Sequence, residues 1–236
     1  MKINYAHLKE QIINFSFNKK LYDFIIIGSG PAAITLYKKI LSKKTNKPKI
    51  LIIEEGDYHK KNFKKIISKY LKINLKSRAF TVGGTSSIWS NISSYFEEFE
   101  MKSRWGKKKF NLWPLNHKSL LKEYKKLNKD YQFFFNKFKK KNFNIPFQIR
   151  PFIATTNPIN FKQFINTNEI DLIYNCKISS IDENKKIATV YPVDDKFRFN
   201  AKKIIVCCGG IESVNLIQNS LFKKKLKDIK NKKLIG

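Results

Sequence analysis

Apolar residues in this chain fall into short continuous runs separated by turn residues, with longer stretches of helical spacing between them. Phe24–Ile27 is a four-residue apolar run, and Ala32–Leu41 after it has helical periodicity. Lys49–Ile53 is a second apolar run. Phe63, Ile66, Ile67, Tyr70 and Leu71 then recur at helical spacing among lysines, predicting an amphipathic surface helix over 60–76. Lys118–Asp130 predicts another helix. From Ile145 the pattern becomes strand-like, with short runs at Ile170–Tyr174, Lys177–Ile181, Lys186–Val193 and Phe197–Asn200. Asp182-Glu183-Asn184 supplies a turn between two of them. Ile204–Cys207 is a further strand, and Ile211–Gln218 a helix. Met1–Lys20 is expected to form a short helix beside the first strand. Strands alternating with helices predict an α/β fold with a mainly parallel sheet, plus a small late antiparallel element. Residues 1–92 and 165–236 are expected to form one discontinuous domain, with 93–164 inserted.

The first strand runs straight into Gly28-Ser29-Gly30-Pro31-Ala32-Ala33 and then the helix. Strand, glycine turn and helix in that order match the phosphate-binding turn of a dinucleotide fold. Gly28 permits a sharp turn, and Gly30 has no side chain to hold a pyrophosphate off the backbone. Ala33, where a third glycine is usual, is small enough for the helix to pack on the strand. The helix start offers N–H groups and a positive dipole end to phosphates.

Three further segments bear on this reading. Glu54 ends the second strand, 24 residues after Gly30. A carboxylate there accepts hydrogen bonds from ribose hydroxyls and repels a 2′-phosphate. The alternative is a surface acid at a strand end, with Glu55 the second candidate for the ribose. Val82-Gly83-Gly84-Thr85-Ser86-Ser87-Ile88-Trp89 is a donor-rich loop able to wrap a pyrophosphate, or else a turn before a helix. Cys207-Cys208-Gly209-Gly210 makes a second strand–glycine–helix crossing, which suits a cofactor gripped from both ends or a structural αβ turn.

Together these segments resemble the glucose–methanol–choline family of FAD-dependent oxidoreductases. The resemblance runs in blocks through Asp23–Ala33, Ile50–Gly56, Gly83–Trp89, Trp113-Pro114 with Leu120–Tyr124, and Ile204–Ser220. Trp-Pro followed by a Leu…Tyr helix looks most like the sugar- and polyol-oxidising branches. The resemblance implies an FAD-binding Rossmann-like domain, with hydride passing from a CH–OH carbon to the flavin. It implies that Gly28, Ser29, Gly30, Pro31 and Ala32 face the FAD pyrophosphate and that Glu54 takes the adenosine ribose. It implies that Gly83, Gly84, Thr85 and Ser86 lie along the pyrophosphate and flavin. Ile178 matches a strand whose backbone meets adenine, and Gly209 matches the late glycine turn. The insert would help to roof the substrate region. Some members tether the flavin through a histidine in the Gly-Gly loop; Ile88 stands at that position here, so non-covalent FAD is expected. Family members are longer and carry their catalytic histidine near the C-terminus. His7, His59 and His117 match no such segment, so no catalytic base is assigned. The catalytic half is expected to be absent from this chain and supplied, for activity, by a C-terminal half or a partner subunit. The other readings are a different two-dinucleotide-fold flavoprotein, such as a reductase or hydroxylase, and a non-catalytic FAD-binding remnant or subunit.

Charge changes this picture little. The net charge is +30, which by itself suggests nucleic acid or an anionic membrane. Only Arg78, Arg104, Arg150 and Arg198 among the 48 basic residues are arginine. Lys, Asn, Ile, Phe and Tyr are abundant, and all have A/T-rich codons. Nucleotide bias therefore explains much of the lysine excess, whereas a phosphate-selected surface keeps arginine. Neither nucleic acid nor membrane is expected as a partner; a small alcohol or sugar and an electron acceptor are. Tyr131-Gln132-Phe133-Phe134-Phe135 reads as helix core rather than a base-stacking platform. Cys176, Cys207 and Cys208 are too few for a disulfide framework, lack zinc-ligand spacing, and are expected to be small buried residues. No metal site is expected. With no apolar run of membrane-spanning length and no signal-peptide pattern, a cytoplasmic protein is expected.

Overall fold

The computed structural model describes residues 1–6, 20–43, 46–63, 78–90, 96, 98–101, 115–131, 158–183, 187–193 and 197–220. The expected helix over 60–76 lies outside them beyond Phe63, as do Trp113-Pro114 and the aromatic run after Tyr131. The chain divides into two compact units, Met1–Ile88 with Asn160–Gly236, and Trp89–Ile159.

The first unit is built on a seven-stranded sheet. Its strands are β1 (Lys2–Asn4), β2 (Leu21–Ile27), β3 (Ile50–Ile53), β6 (Asp171–Tyr174), β7 (Ile178–Glu183), β8 (Ala188–Pro192) and β9 (Phe199–Val206), in the order β1-β6-β3-β2-β9-β8-β7. The pairs from β1 through β9 are parallel; β8 is antiparallel to both β9 and β7. The antiparallel element is thus a continuation of the main sheet. A separate two-stranded ribbon joins β4 (Asn62–Phe63) to β5 (Ala79–Phe80).

Two expectations about elements are corrected. At the chain start Lys2–Asn4 is a strand; the helix expected over Met1–Lys20 is described only at Tyr5–Ala6, which are helical, and 7–19 lie outside the described residues. Lys2–Asn4 pairs with Leu172–Tyr174, and the Met1 amine donates to Thr167 O and Ile170 O. Phe197–Asn200 and Ile204–Cys207 are not separate strands. They merge into β9, because Lys202 and Lys203 are exposed and need no break; Lys202 pairs with Asp23 at 2.8 Å.

Burial explains the sequence pattern. All four residues of β3 are buried, as are Ile25–Ile27 of β2, since parallel strands are covered on both faces. β8 alternates, with Ala188, Val190 and Pro192 buried. Helix α1 (Pro31–Lys43) follows β2 with proline at its first position, where a missing N–H costs nothing. It buries Ala33, Ile34 and Tyr37. Helix α4 (Gly209–Asn219) follows β9 and packs on β7.

The second unit holds α2 (Glu98–Met101) and α3 (His117–Tyr131). Its two ends meet where Trp89 Nε1 donates to Ile159 O at 2.8 Å. The 3₁₀ turn Phe161–Phe164, expected inside the insert, belongs to the first unit instead. Its Phe161 is buried there, with its N–H donating to Ser86 Oγ.

Candidate functional site

Register gathers the candidate residues at one end of the sheet. Ile27 pairs with Ile53 on one side and Val206 on the other. The residues that follow, Gly28, Glu54 and Cys207, therefore emerge side by side at the carboxyl ends of adjacent parallel strands. The chain leaves β2 for β3 on one flank and returns as β9 on the other. Ligand crevices in open α/β sheets form at such a switch point.

A cavity of about 640 Å³ opens there. Its wall includes Gly28 through Ala32, Glu54, Gly84 and Thr85, with Ile178 and Gly209. Gly83 and Ser86 are not on the wall and serve from behind it. Gly83 N–H donates to Ser29 Oγ at 3.1 Å. Ser86 Oγ donates to Gly83 O at 2.6 Å and accepts from Phe161 N at 3.0 Å. The Gly-Gly loop is a 3₁₀ turn over Gly84–Ser87, with Gly83 in the left-handed region.

The two glycines of the first turn have different duties. Gly28 has φ +94°, and a Cβ there would sit 2.5 Å from Cys207 O. It lets β9 approach the turn. A Cβ at Gly30 would meet nothing within 4 Å on its own side, so Gly30 faces open cavity. Gly84 lies against it; a Cβ there would be 3.2 Å from Gly30 Cα. Two chain segments thus present bare backbone to one space at the start of a 13-residue helix. Bare backbone at a helix start suits an anionic group. The residues present fit the pyrophosphate of a dinucleotide.

Glu54 is buried, and its carboxylate turns onto the chain. Oε2 accepts from Ser29 N at 2.9 Å and Ser29 Oγ at 2.6 Å, and Oε1 accepts from Gly56 N at 2.8 Å. Of its roughly four acceptor positions, about one is left for a ligand. Burial lifts its carboxyl above the ordinary range, with the bonds from Ser29 and Gly56 pulling the other way. Glu55 also lines the cavity, paired with Lys177 at 3.7 Å.

Several wall residues escaped sequence reading. Cys207 and Cys208 are half-buried and line the cavity, and Cys208 also packs against the core. Burial pushes both thiols up, Cys208 to about 12, which disfavours the thiolate. Arg78 is exposed on the wall, its Nη1 3.9 Å from where a Cβ would stand at Gly209. The signal for it was present: it is one of only four arginines and lies five residues before Gly83. His59 and His117 are not on the wall, and His7 lies outside the described residues. Among the described residues no cluster of His, Cys, Asp and Glu could hold a metal, and no helix is long and apolar enough to cross a membrane.

The topology is that of an open, mainly parallel α/β sheet with a crevice at its switch point, where such folds place their ligands. No family model and no curated protein matches the sequence. Among solved structures the chain is similar to a fungal aryl-alcohol oxidase, with TM-score 0.54 and 14% identity over 85% of this chain and 48% of that one. A pyridoxine 4-oxidase from Mesorbium loti aligns at TM-score 0.49 and 11% identity, over 81% of this chain and 50% of that one. A formate oxidase aligns at TM-score 0.47 and 14% identity, over 84% and 47%. These two fall too low to add to the argument. The chain spans about half the length of the aryl-alcohol oxidase it matches. The glucose–methanol–choline resemblance therefore holds at the level of the fold.

Proposed function

We propose that this chain binds FAD non-covalently and forms the cofactor-binding part of an oxidoreductase acting on a CH–OH group of a sugar, polyol or other alcohol. The observation that carries the reading is Gly30. Its bare backbone opens into the cavity at the start of α1, with Gly84 beside it and Glu54 at the next strand end. Bound FAD supplies hydride acceptance, and the chain supplies orientation and electrostatics. Gly28–Ala32 and Gly84 take the pyrophosphate, and Arg78 offsets its charge across the cavity. Glu54 gives its remaining acceptor position to the adenosine ribose, with Glu55 beside it. Ile178 meets the base.

Purified protein is expected to be yellow, and acid precipitation should release the flavin to the supernatant. Colourless protein that FAD cannot reconstitute would refute the reading. Flavin held in the pellet would refute only non-covalent binding.

Alcohol oxidation also needs a base for the hydroxyl proton. Neither described histidine lines the cavity, which favours a chain that needs a partner subunit or a further segment to be active. Anaerobic mixing of the FAD-loaded protein with sugars and primary alcohols should leave the flavin oxidised; bleaching at an enzymatic rate would place a base within these residues. We place the protein in the cytoplasm, where its three free cysteines stay reduced.

A further inference from the structure

The wall of the cavity formed by α4 carries a polar row with a fixed direction. Glu212, Asn215 and Asn219 follow at i, i+3 and i+7, one face of the helix. Asn215 Nδ2 donates to Glu212 Oε2 at 3.4 Å, and Asn219 Nδ2 donates to Asn215 Oδ1 at 3.0 Å. A carboxylate only accepts, so Glu212 draws the amide nitrogen of Asn215 toward itself. Asn215 must then present oxygen to Asn219, and Asn219 must answer with nitrogen. The row ends in Asn219 Oδ1, which takes no hydrogen bond among the described residues, beside one N–H left over on the same amide. All three residues line the cavity, as do Ile178 and Ser179 from β7. The buried Leu216 of the same helix also lines it.

We propose that Asn219 is the specificity-determining residue for the base of the nucleotide, selecting adenine through an acceptor-then-donor edge that Glu212 and Asn215 hold in place. This rests on the cofactor reading above. With the diphosphate at Gly30 and the ribose at Glu54, the base extends toward the Cys176–Ser179 corner and α4, which line the same cavity. Adenine offers an N6–H donor next to a ring nitrogen acceptor, the complement of a carboxamide. Hypoxanthine offers an acceptor at that carbon, with a donor at N1. Meeting it requires Asn219 to turn over and give up its bond to Asn215. Ile178 and Leu216 supply apolar contact for the ring.

The test is calorimetric titration of the full chain with ADP and with IDP. ADP is expected to bind about tenfold more tightly, the lower part of the range for an amide reading one base. Asn219→Ala should bring ADP to the IDP level and leave IDP within about twofold. Glu212→Gln should narrow the ratio by freeing the amides to turn over. Far-ultraviolet circular dichroism shows whether each variant stays folded, which is expected because Asn215 and Asn219 are exposed. If FAD and ADP bind but IDP binds equally well, or if Asn219→Ala keeps the ratio, this inference falls and the cofactor reading stands. If neither FAD nor ADP binds, both fall.

Discussion

Ser29 Oγ stands 2.6 Å from Glu54 Oε2, and both side chains are buried. The same hydroxyl accepts from Gly83 N at 3.1 Å. One side chain thus ties the turn after β2 to the end of β3 and to the Gly-Gly loop, three segments spread over 54 residues. Ser29→Ala strands a buried N–H and deprives a buried carboxylate of a donor. Each such loss costs about 1–3 kcal/mol. Urea unfolding of the FAD-free protein should therefore show Ser29→Ala destabilised by at least about 2 kcal/mol. A change under about 0.5 kcal/mol would mean that water replaces the hydroxyl.

The first-turn glycines should separate folding from binding. Gly28→Ala places a Cβ 2.5 Å from Cys207 O at φ +94° and should reduce soluble, folded protein sharply. Gly30→Ala meets no protein atom within 4 Å and should keep a near-parental melting temperature. It should still lose FAD affinity by tenfold or so, about 1.4 kcal/mol, because the methyl enters the space of the diphosphate. If Gly30→Ala binds FAD normally, the diphosphate lies elsewhere.

Glu54→Ala should weaken FAD binding by about 1.5–3 kcal/mol, the scale of hydrogen bonds to a charged group. Glu55→Ala should do much less, since Glu55 is turned toward Lys177. Flavin fluorescence titration orders the two. The reverse order would assign the ribose to Glu55.

The Glu54 carboxyl should also leave a signature in stability against pH. Burial holds it above its unfolded value of about 4.3. A carboxyl raised on folding binds more protons in the folded state than in the unfolded state. Its contribution is fully present below the unfolded value and is lost as pH rises through the folded one. The stability of the parent relative to Glu54→Gln should therefore fall as pH is raised from about 4 toward 7. A difference independent of pH would show that the carboxyl is not perturbed.

The +30 charge should give only salt-sensitive association with nucleic acid. Binding should be independent of base sequence and vanish as salt approaches physiological levels. Sub-micromolar affinity with sequence preference at that salt would overturn the assignment of the lysine excess to codon bias.

The parts legible from sequence were those where local pattern and burial agree. Ile50–Ile53 is apolar throughout because both faces are covered, and Pro31 marks the start of α1. Long-range contacts left no such trace. Lys2–Asn4 is too short for periodicity and is a strand because β6 offers it an edge. Asp171 beside it is half-buried, which alone would raise its carboxyl. Hydrogen bonds from Lys20, Tyr22 and the Met1 amine outweigh that and hold it low. Those partners come from 149 to 170 positions away. The inward turn of Glu54 was equally hidden, because it depends on Ser29 and Gly56 closing around it.

Strand β9 has a consequence for how a nascent chain reaches this structure. Ile27 and Val206 are neighbours in the sheet but 179 positions apart in synthesis. While the ribosome makes the intervening residues, β2 has β3 on one edge and nothing on the other. Pairings of such long sequence separation form slowly. An apolar strand waiting with an open edge is a template for other chains. The carbonyl of Cys207 reaches Gly28 only when β9 docks. The crevice therefore comes into being when β9 docks, and a chaperone that shields β2 until then would govern the yield of protein that carries it.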